Sequence, residues 1–362
     1  MSHPQEYKTV DEQIELLKSR NLSFKNENLA KKNLRCYGYY SIINGYKSPY
    51  LDNENGKEDH YKDGVTFEQI FSLFTFDHRI KSAVMLSMLD FEEHLRAVTA
   101  EVVANKYTSL HTEYLKPNHY QDRRARKESN AKFSRAEILK KMDNELHSKH
   151  NPIKYSMDKY QNVPPWILFK GIYFNTLVNF VRIQKGDAKT QIMCRMYNIT
   201  VPSDLNLTEI KNLFTDSLFI FLAYRNSAAH GGRIYNLNPS TKVNFNKKLK
   251  DDLSKLMDTT QIDELEKSKG LWQVVLLLKM FSYNGPFELM QQTINDALTE
   301  HCSKYPQDIE YIANTTGIDI NNIEAKVGDT IYKLSDFITD DGHLSLAYLD
   351  ADKEVAASSS DI

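Results

Sequence analysis

The 362-residue chain reads as an all-α protein, a helical bundle with a helical N-terminal extension and a small C-terminal appendage. Three observations predict this class. Glycine and proline are scarce, at 13 and 10 residues, about half their usual combined usage. That shortage argues against a β-sandwich or barrel with many tight turns. Apolar residues recur at helical spacing, and helix-start signals stand in front of several of the apolar runs.

The elements follow in order. Thr9 and Glu12 form a capping-box pattern ahead of Ile14 and Leu17, and a second short helix is expected over residues 26–35. The segment RCYGYYSIINGYKSPY, residues 35–50, is dense in tyrosine. It has two readings: an aromatic-packed turn against the core, or a surface where Tyr39 and Tyr40 stack on RNA bases. Residues 52–64 are polar and read as an exposed loop. Thr66 and Gln69 form a further capping-box pattern, and Phe67, Ile70, Phe71 and Phe74 obey the i, i+3, i+4, i+7 rule. Ile80, Val84, Met88, Phe91, Leu95, Val98 and Val102 then define one face of a long helix ending near Tyr107. Glu92 and Arg96 lie four apart on it and can pair.

Ser134 with Glu137 predicts a helix through Leu146, and Pro164-Pro165 opens an apolar helix over residues 165–184. Asn206 with Glu209 starts a helix that runs to His230 and stops at Gly231-Gly232. Further helices are expected near residues 245–258, 271–283 and 286–303. Residues 305–349 accommodate short strands or another helix, and the tail from 351 has a disordered composition. The domain boundaries that follow are 1–65, 66–300, 301–350 and 351–362.

Composition excludes several classes. The formal net charge is −2 with 41% hydrophobic residues, which excludes an acidic disordered chain. Cys36, Cys194 and Cys302 are few, odd in number and far apart. They form no disulfide scaffold or zinc module and fit a reducing cytoplasm. The N-terminus has no signal-peptide pattern, and the longest apolar stretch, Leu218 to Tyr224, is far short of the ~20 residues that span a bilayer. No GxGxxG, Walker loop or HExxH occurs, so neither a metal nor a nucleotide cofactor is expected. The near-zero charge hides an uneven chain. Between Arg123 and Lys141, eight cations against two carboxylates leave +6, and the stretch from Asp336 onward carries −6. Arg123, Arg124, Arg126, Lys127, Lys132 and Arg135 form either a solvated face or a patch for an RNA backbone.

The residues best suited to chemistry lie in FLAYRNSAAHGGRIYN, 221–236. Arg225 and His230 close an apolar helix, with Asn226 one turn before the histidine and small Ala228 and Ala229 between them. A histidine titrates near neutrality, and a guanidinium keeps its charge and grips phosphate in a bidentate fork. Together they suit metal-free RNA cleavage, in which a 2′-hydroxyl attacks its own phosphate. One histidine does not serve both faces of the phosphorus, whereas a two-fold dimer supplies two copies of the pair. The competing reading is a structural histidine at a helix C-terminus.

RNSAAH resembles the R-N-x-x-x-H signature of HEPN ribonucleases. Segments 34–50, 74–96 and 163–180 resemble the ordered blocks of the Abi-like (AbiD/AbiF) abortive-infection branch, with Asn175 and Lys81 departing from its usual residues. The resemblance implies a HEPN-type helical bundle and a composite homodimer site. It implies an endoribonuclease toxin of anti-phage, toxin–antitoxin-like defence, restrained by a small noncoding RNA. Arg225 and His230 are implied as catalytic and Asn226 as supporting. Glu92 and Arg96 are implied as orienting groups from a neighbouring helix, although an intrahelical salt bridge explains them as well. Arg233 is a candidate phosphate contact. The alternative is a non-catalytic HEPN module that binds RNA or a protein partner.

Overall fold

A computed structural model describes residues 7–52, 59–122, 133–200, 205–319, 324–327 and 330–333. The chain order is α1 (Val10–Ser19), α2 (Glu27–Tyr37), α3 (Phe67–Tyr107), α4 (His111–Tyr114), α5 (Arg135–Leu146), α6 (Ile153–Tyr160), α7 (Pro165–Gly171), α8 (Phe174–Arg182), α9 (Gly186–Tyr197) and α10 (Thr208–Ala229). It continues with α11 (Lys247–Leu253), α12 (Thr259–Lys267), α13 (Gly270–Lys279), α14 (Gly285–Lys304) and α15 (Ile309–Thr316). The only strands among the described residues, β1 (Glu324–Val327) and β2 (Thr330–Lys333), form an antiparallel hairpin in the stretch for which strands or a helix were both open. The protein is thus all-α apart from that hairpin.

Helix starts follow the sequence signals closely. Thr9–Glu12 and Ser134–Glu137 both close as reciprocal capping boxes. At Thr66 only half the box forms. The Gln69 amide donates to the Thr66 hydroxyl at 3.2 Å, but the Gln69 side chain turns away to Asp308. Other expectations fail: the Asn206–Glu209 cap does not form, since Leu207 is the N-cap of α10 and its side chain makes no cap hydrogen bond. The apolar run 165–184 is two helices, because Ile172 and Tyr173 are extended, with ψ of 146° and 152°. The join is tightly packed: a Cβ on Gly171 would meet Glu145 Oε1 at 2.4 Å and Ile153 Cδ1 at 2.5 Å.

The chain divides into two compact units. Of the described residues, one unit holds those up to Lys81 together with 293–315 and those from Asp319 to Lys333, and the other holds those between Ser82 and Gln292 with 316–318. In the N-terminal unit α1 packs on α2. Tyr46 and Tyr50 of the tyrosine-rich segment are buried there. Tyr40 is 78% exposed and Tyr39 is half-buried, so the segment is mainly packing with one outward ring.

In the second unit α10 is the central element and packs on α8, α9, α11 and α13. Its residues are buried on every side from Leu213 to Leu222 except at Asp216, the pattern of a core helix rather than a surface one. An aromatic cluster fixes its neighbours. The Phe281 ring lies 4.8 Å from Phe91, 5.7 Å from Phe221 and 4.8 Å from Tyr197 between centroids. Phe91 also meets Phe221 edge-to-face at 5.0 Å, a favoured aromatic geometry.

Two outcomes follow. Phe281→Ala, emptying the centre of that cluster, should lower the unfolding free energy by about 3–5 kcal/mol, read by urea denaturation. Burial, with the Asp308 carboxylate second, pushes the Cys302 thiol up to about 12. At pH 8 its thiolate is therefore negligible, whereas Cys36 is exposed. A thiol titration of the folded protein at pH 8 should modify Cys36 and reach Cys302 only after denaturant is added.

Candidate active site at the end of α10

The sequence of α10 changes character at its last turn. Tyr224 is fully buried and its hydroxyl donates to the Leu237 carbonyl at 3.1 Å, tying the returning chain to the helix. Arg225, Asn226 and Ser227 are then half-buried, and His230 is exposed. The helix ends in a Schellman motif. The Gly232 N–H donates to the Ser227 carbonyl at 2.8 Å and the Gly231 N–H to the Ala228 carbonyl at 3.5 Å. Gly231 holds a φ of +75°, and a Cβ on Gly232 would meet Ser227 Oγ at 2.2 Å. The glycine pair thus serves a left-handed exit and a close approach, one residue each.

This end orients two groups toward chemistry. His230 is the C-cap residue, its own N–H donating to the Asn226 carbonyl at 3.0 Å. Its ring makes no hydrogen bond among the described residues. Asn226 Oδ1 accepts from Arg225 Nη1 at 3.4 Å. Its carbonyl, not its amide, is what touches His230. Arg225 Nε is buried with no hydrogen-bond partner among the described residues, so the guanidinium retains donor capacity. The C-terminal helix dipole adds favourable potential for a cation at His230.

Glu92 and Arg96 are buried, at 5% and 9% exposure, and Arg96 Nη2 donates to Glu92 Oε1 one turn away. The intrahelical pairing allowed by their spacing is therefore what forms. Glu92 Oε2 and Arg96 Nη1 have no hydrogen-bond partner among the described residues. The pair's chain neighbour Phe91 packs on Phe221, one turn before Arg225. No hydrogen bond or ion pair joins Glu92 or Arg96 to Arg225 or His230 among the described residues.

The proposed RNA contacts fare differently. Arg123, Arg124, Arg126, Lys127 and Lys132 lie outside the described residues. Arg135 is engaged: its Nη1 donates to the carbonyls of Pro117 and Tyr120 at 3.3 and 3.2 Å, and its Nη2 is 3.4 Å from Asp122. It clasps the segment before α5 rather than standing ready for a phosphate. Arg233 is exposed beside the motif. Tyr235 is buried and serves packing. Sequence reasoning missed Ser227, whose carbonyl accepts from the Gly232 N–H and whose side chain packs against Gly232, because a serine between Asn226 and Ala228 carries no periodic signal.

The described residues bring no group of three or more His, Cys, Asp or Glu into a metal-holding arrangement. None of their helices is long and apolar enough to cross a membrane. The class defined by fold and site is an all-helical protein that presents an Arg-Asn-x-x-x-His turn at the open end of its central helix. A family model for Abi-like proteins matches residues 32–236, more than half of the chain, and the protein belongs to that family. Membership points to abortive-infection defence. No curated protein and no solved structure matches the chain.

The buried ion pair makes a separate stability test. Arg96→Met should destabilise by about 3–5 kcal/mol, because it strands the Glu92 charge. The double variant Glu92→Leu/Arg96→Met should recover most of that loss, measured as shifts in the urea midpoint.

Proposed function

We propose that the protein is a metal-independent endoribonuclease toxin of the HEPN type, acting as a homodimer in anti-phage defence. The observation that carries this reading is the solvent-facing His230 ring held five residues from a half-buried Arg225 with donor capacity in hand. RNA enters as a backbone whose phosphate the Arg225 guanidinium grips. One His230 takes the proton of the 2′-hydroxyl as that oxygen attacks phosphorus. The new bond closes a 2′,3′-cyclic phosphate while the bond to the 5′-oxygen breaks. The His230 of a second copy protonates that departing oxygen. Arg225 balances the extra negative charge of the pentacoordinate state.

A single helix end offers one imidazole, and in-line displacement places base and acid on opposite sides of phosphorus. That geometry is what makes a two-fold pair of α10 ends the fitting arrangement. The small, exposed Ala229 beside His230 permits close approach of a second surface. RNA contact beyond the scissile phosphate falls to Arg233 and the basic stretch from Arg123, with Tyr40 as an outward ring for stacking. A small noncoding RNA is the restraint that fits a toxin whose target is RNA.

The experiment uses purified protein and a structured RNA ladder with EDTA present. Wild type should cut the RNA and leave cyclic-phosphate ends. His230→Ala and Arg225→Ala should each lower the rate by about 10²–10⁴, and both should relieve growth arrest on expression. His230→Ala should shift stability by no more than about 0.5 kcal/mol, since the residue is exposed. Cleavage that EDTA abolishes, or that survives His230→Ala, sinks the nuclease reading. RNA bound without being cut assigns the non-catalytic module instead.

A further inference from the structure

Within the N-terminal unit, α3 and α14 line a cleft of about 310 Å³, at the lower end of the range for small-molecule sites. Ser72, Phe76 and Arg79 line it from α3, and Ala297, His301 and Lys304 from α14. In its lining Ser72 Oγ lies 2.8 Å from His301 Nδ1. On the other side of the ring His301 Nε2 lies 3.0 Å from Asp308 Oδ2. Asp308 accepts two more hydrogen bonds, from the Tyr50 hydroxyl at 2.7 Å and from Gln69 Nε2 at 2.9 Å. Such a donor set suits an ionised carboxylate. With the ring proton on Nε2 facing Asp308, the Nδ1 lone pair faces the Ser72 hydroxyl.

A nucleophile, a base and a carboxylate that orients the base are thus in line, each within hydrogen-bond reach of the next. His301 is 1% exposed and Asp308 6%, so the base is locked in place. Ser72 is half-buried and lines the cleft, where an incoming group can reach it. Both His301 and Asp308 lie beyond residues 32–236, the part matched by the family model.

We propose that Ser72 is an activated nucleophile of a second reactive centre, one that accepts small carboxylic esters. Ser72 Oγ bonds to the ester carbonyl carbon as its proton passes to His301 Nδ1. The oxyanion is met by the cations in the cleft. Those are Arg79 and Lys304, which line the same cleft and pair there with Glu300 at 2.6 and 3.0 Å. The carbon–oxygen bond to the leaving alcohol then breaks, and His301 returns the proton to it. Water repeats the sequence on the acyl-serine, releasing the acid and restoring Ser72. Phe76 and Ala297 give the acyl group an apolar wall.

An alkyl fluorophosphonate tests this directly, because attack by Ser72 expels fluoride and leaves a stable adduct. Intact-mass and peptide analysis of the full-length chain should find one adduct, on Ser72. Ser72→Ala should show none, and His301→Gln should label at least ~100-fold more slowly. A His301 variant that fails to fold is replaced by Ser72→Cys. The thiol so introduced should then react with iodoacetamide faster than exposed Cys36. No adduct on Ser72, or a thiol slower than Cys36, overturns the proposal and leaves the network as a buried tie between α3 and the 301–308 segment.

Discussion

The structure of the second unit depends on the all-round burial of α10. From Leu213 to Leu222 the helix has almost no solvent-facing side chain, so it is held by packing on α8, α9, α11 and α13 rather than by its own propensity. Each fully buried Leu, Ile or Phe contributes about 1.5–3 kcal/mol relative to exposure. Phe281, just beyond α13, gathers Phe91, Phe221 and Tyr197 around one ring. The helix can therefore end in a polar turn without that turn having to stabilise anything. Arg225, Asn226 and His230 occupy a position whose rigidity comes from elsewhere, a common design for sites that must be exact and open together.

The glycine turn gives that position its shape. A Schellman end satisfies the last carbonyls of α10 within the backbone, so neither Asn226 nor His230 is required as a capping side chain. Asn226 is left to contact Arg225, and the imidazole is left to solvent. A helix that ended without Gly231 and Gly232 would need a side chain to cover those carbonyls, and His230 is the nearest candidate.

The two buried polar clusters differ in kind. Glu92 and Arg96 share one hydrogen bond and leave polar atoms unmatched among the described residues. Asp308 is saturated by Tyr50, Gln69 and His301. The first kind of pair is weak as a stabiliser, because desolvation offsets its Coulomb attraction. The second is a satisfied network, the kind that holds a core in one arrangement. The same network accounts for the half-formed box at Thr66: the Gln69 amide group donates to the buried Asp308 carboxylate and does not reach back to accept from the Thr66 N–H.

Much of this was legible in the amino-acid order, because its causes are local. Capping at Thr9 and Ser134, the periodic stripe from Ile80 to Val102, and the Gly-Gly stop after His230 depend only on residues a turn apart. The candidate pair Arg225 and His230 was legible for the same reason. The polar helix α12 escaped notice because only Ile262 and Leu265 are buried on it, too few for a period. What lay beyond the sequence was decided by partners distant in the chain. Glu145 and Ile153 approach Gly171 too closely for a side chain to fit there. Arg135 was read as an RNA contact from charge alone, but carbonyls 15 and 18 residues earlier claim its guanidinium. Ser72 and His301 are 229 residues apart, and nothing in either local pattern marks them. Periodicity and caps report what each segment can become, whereas the company a polar side chain keeps is settled only when the helices pack.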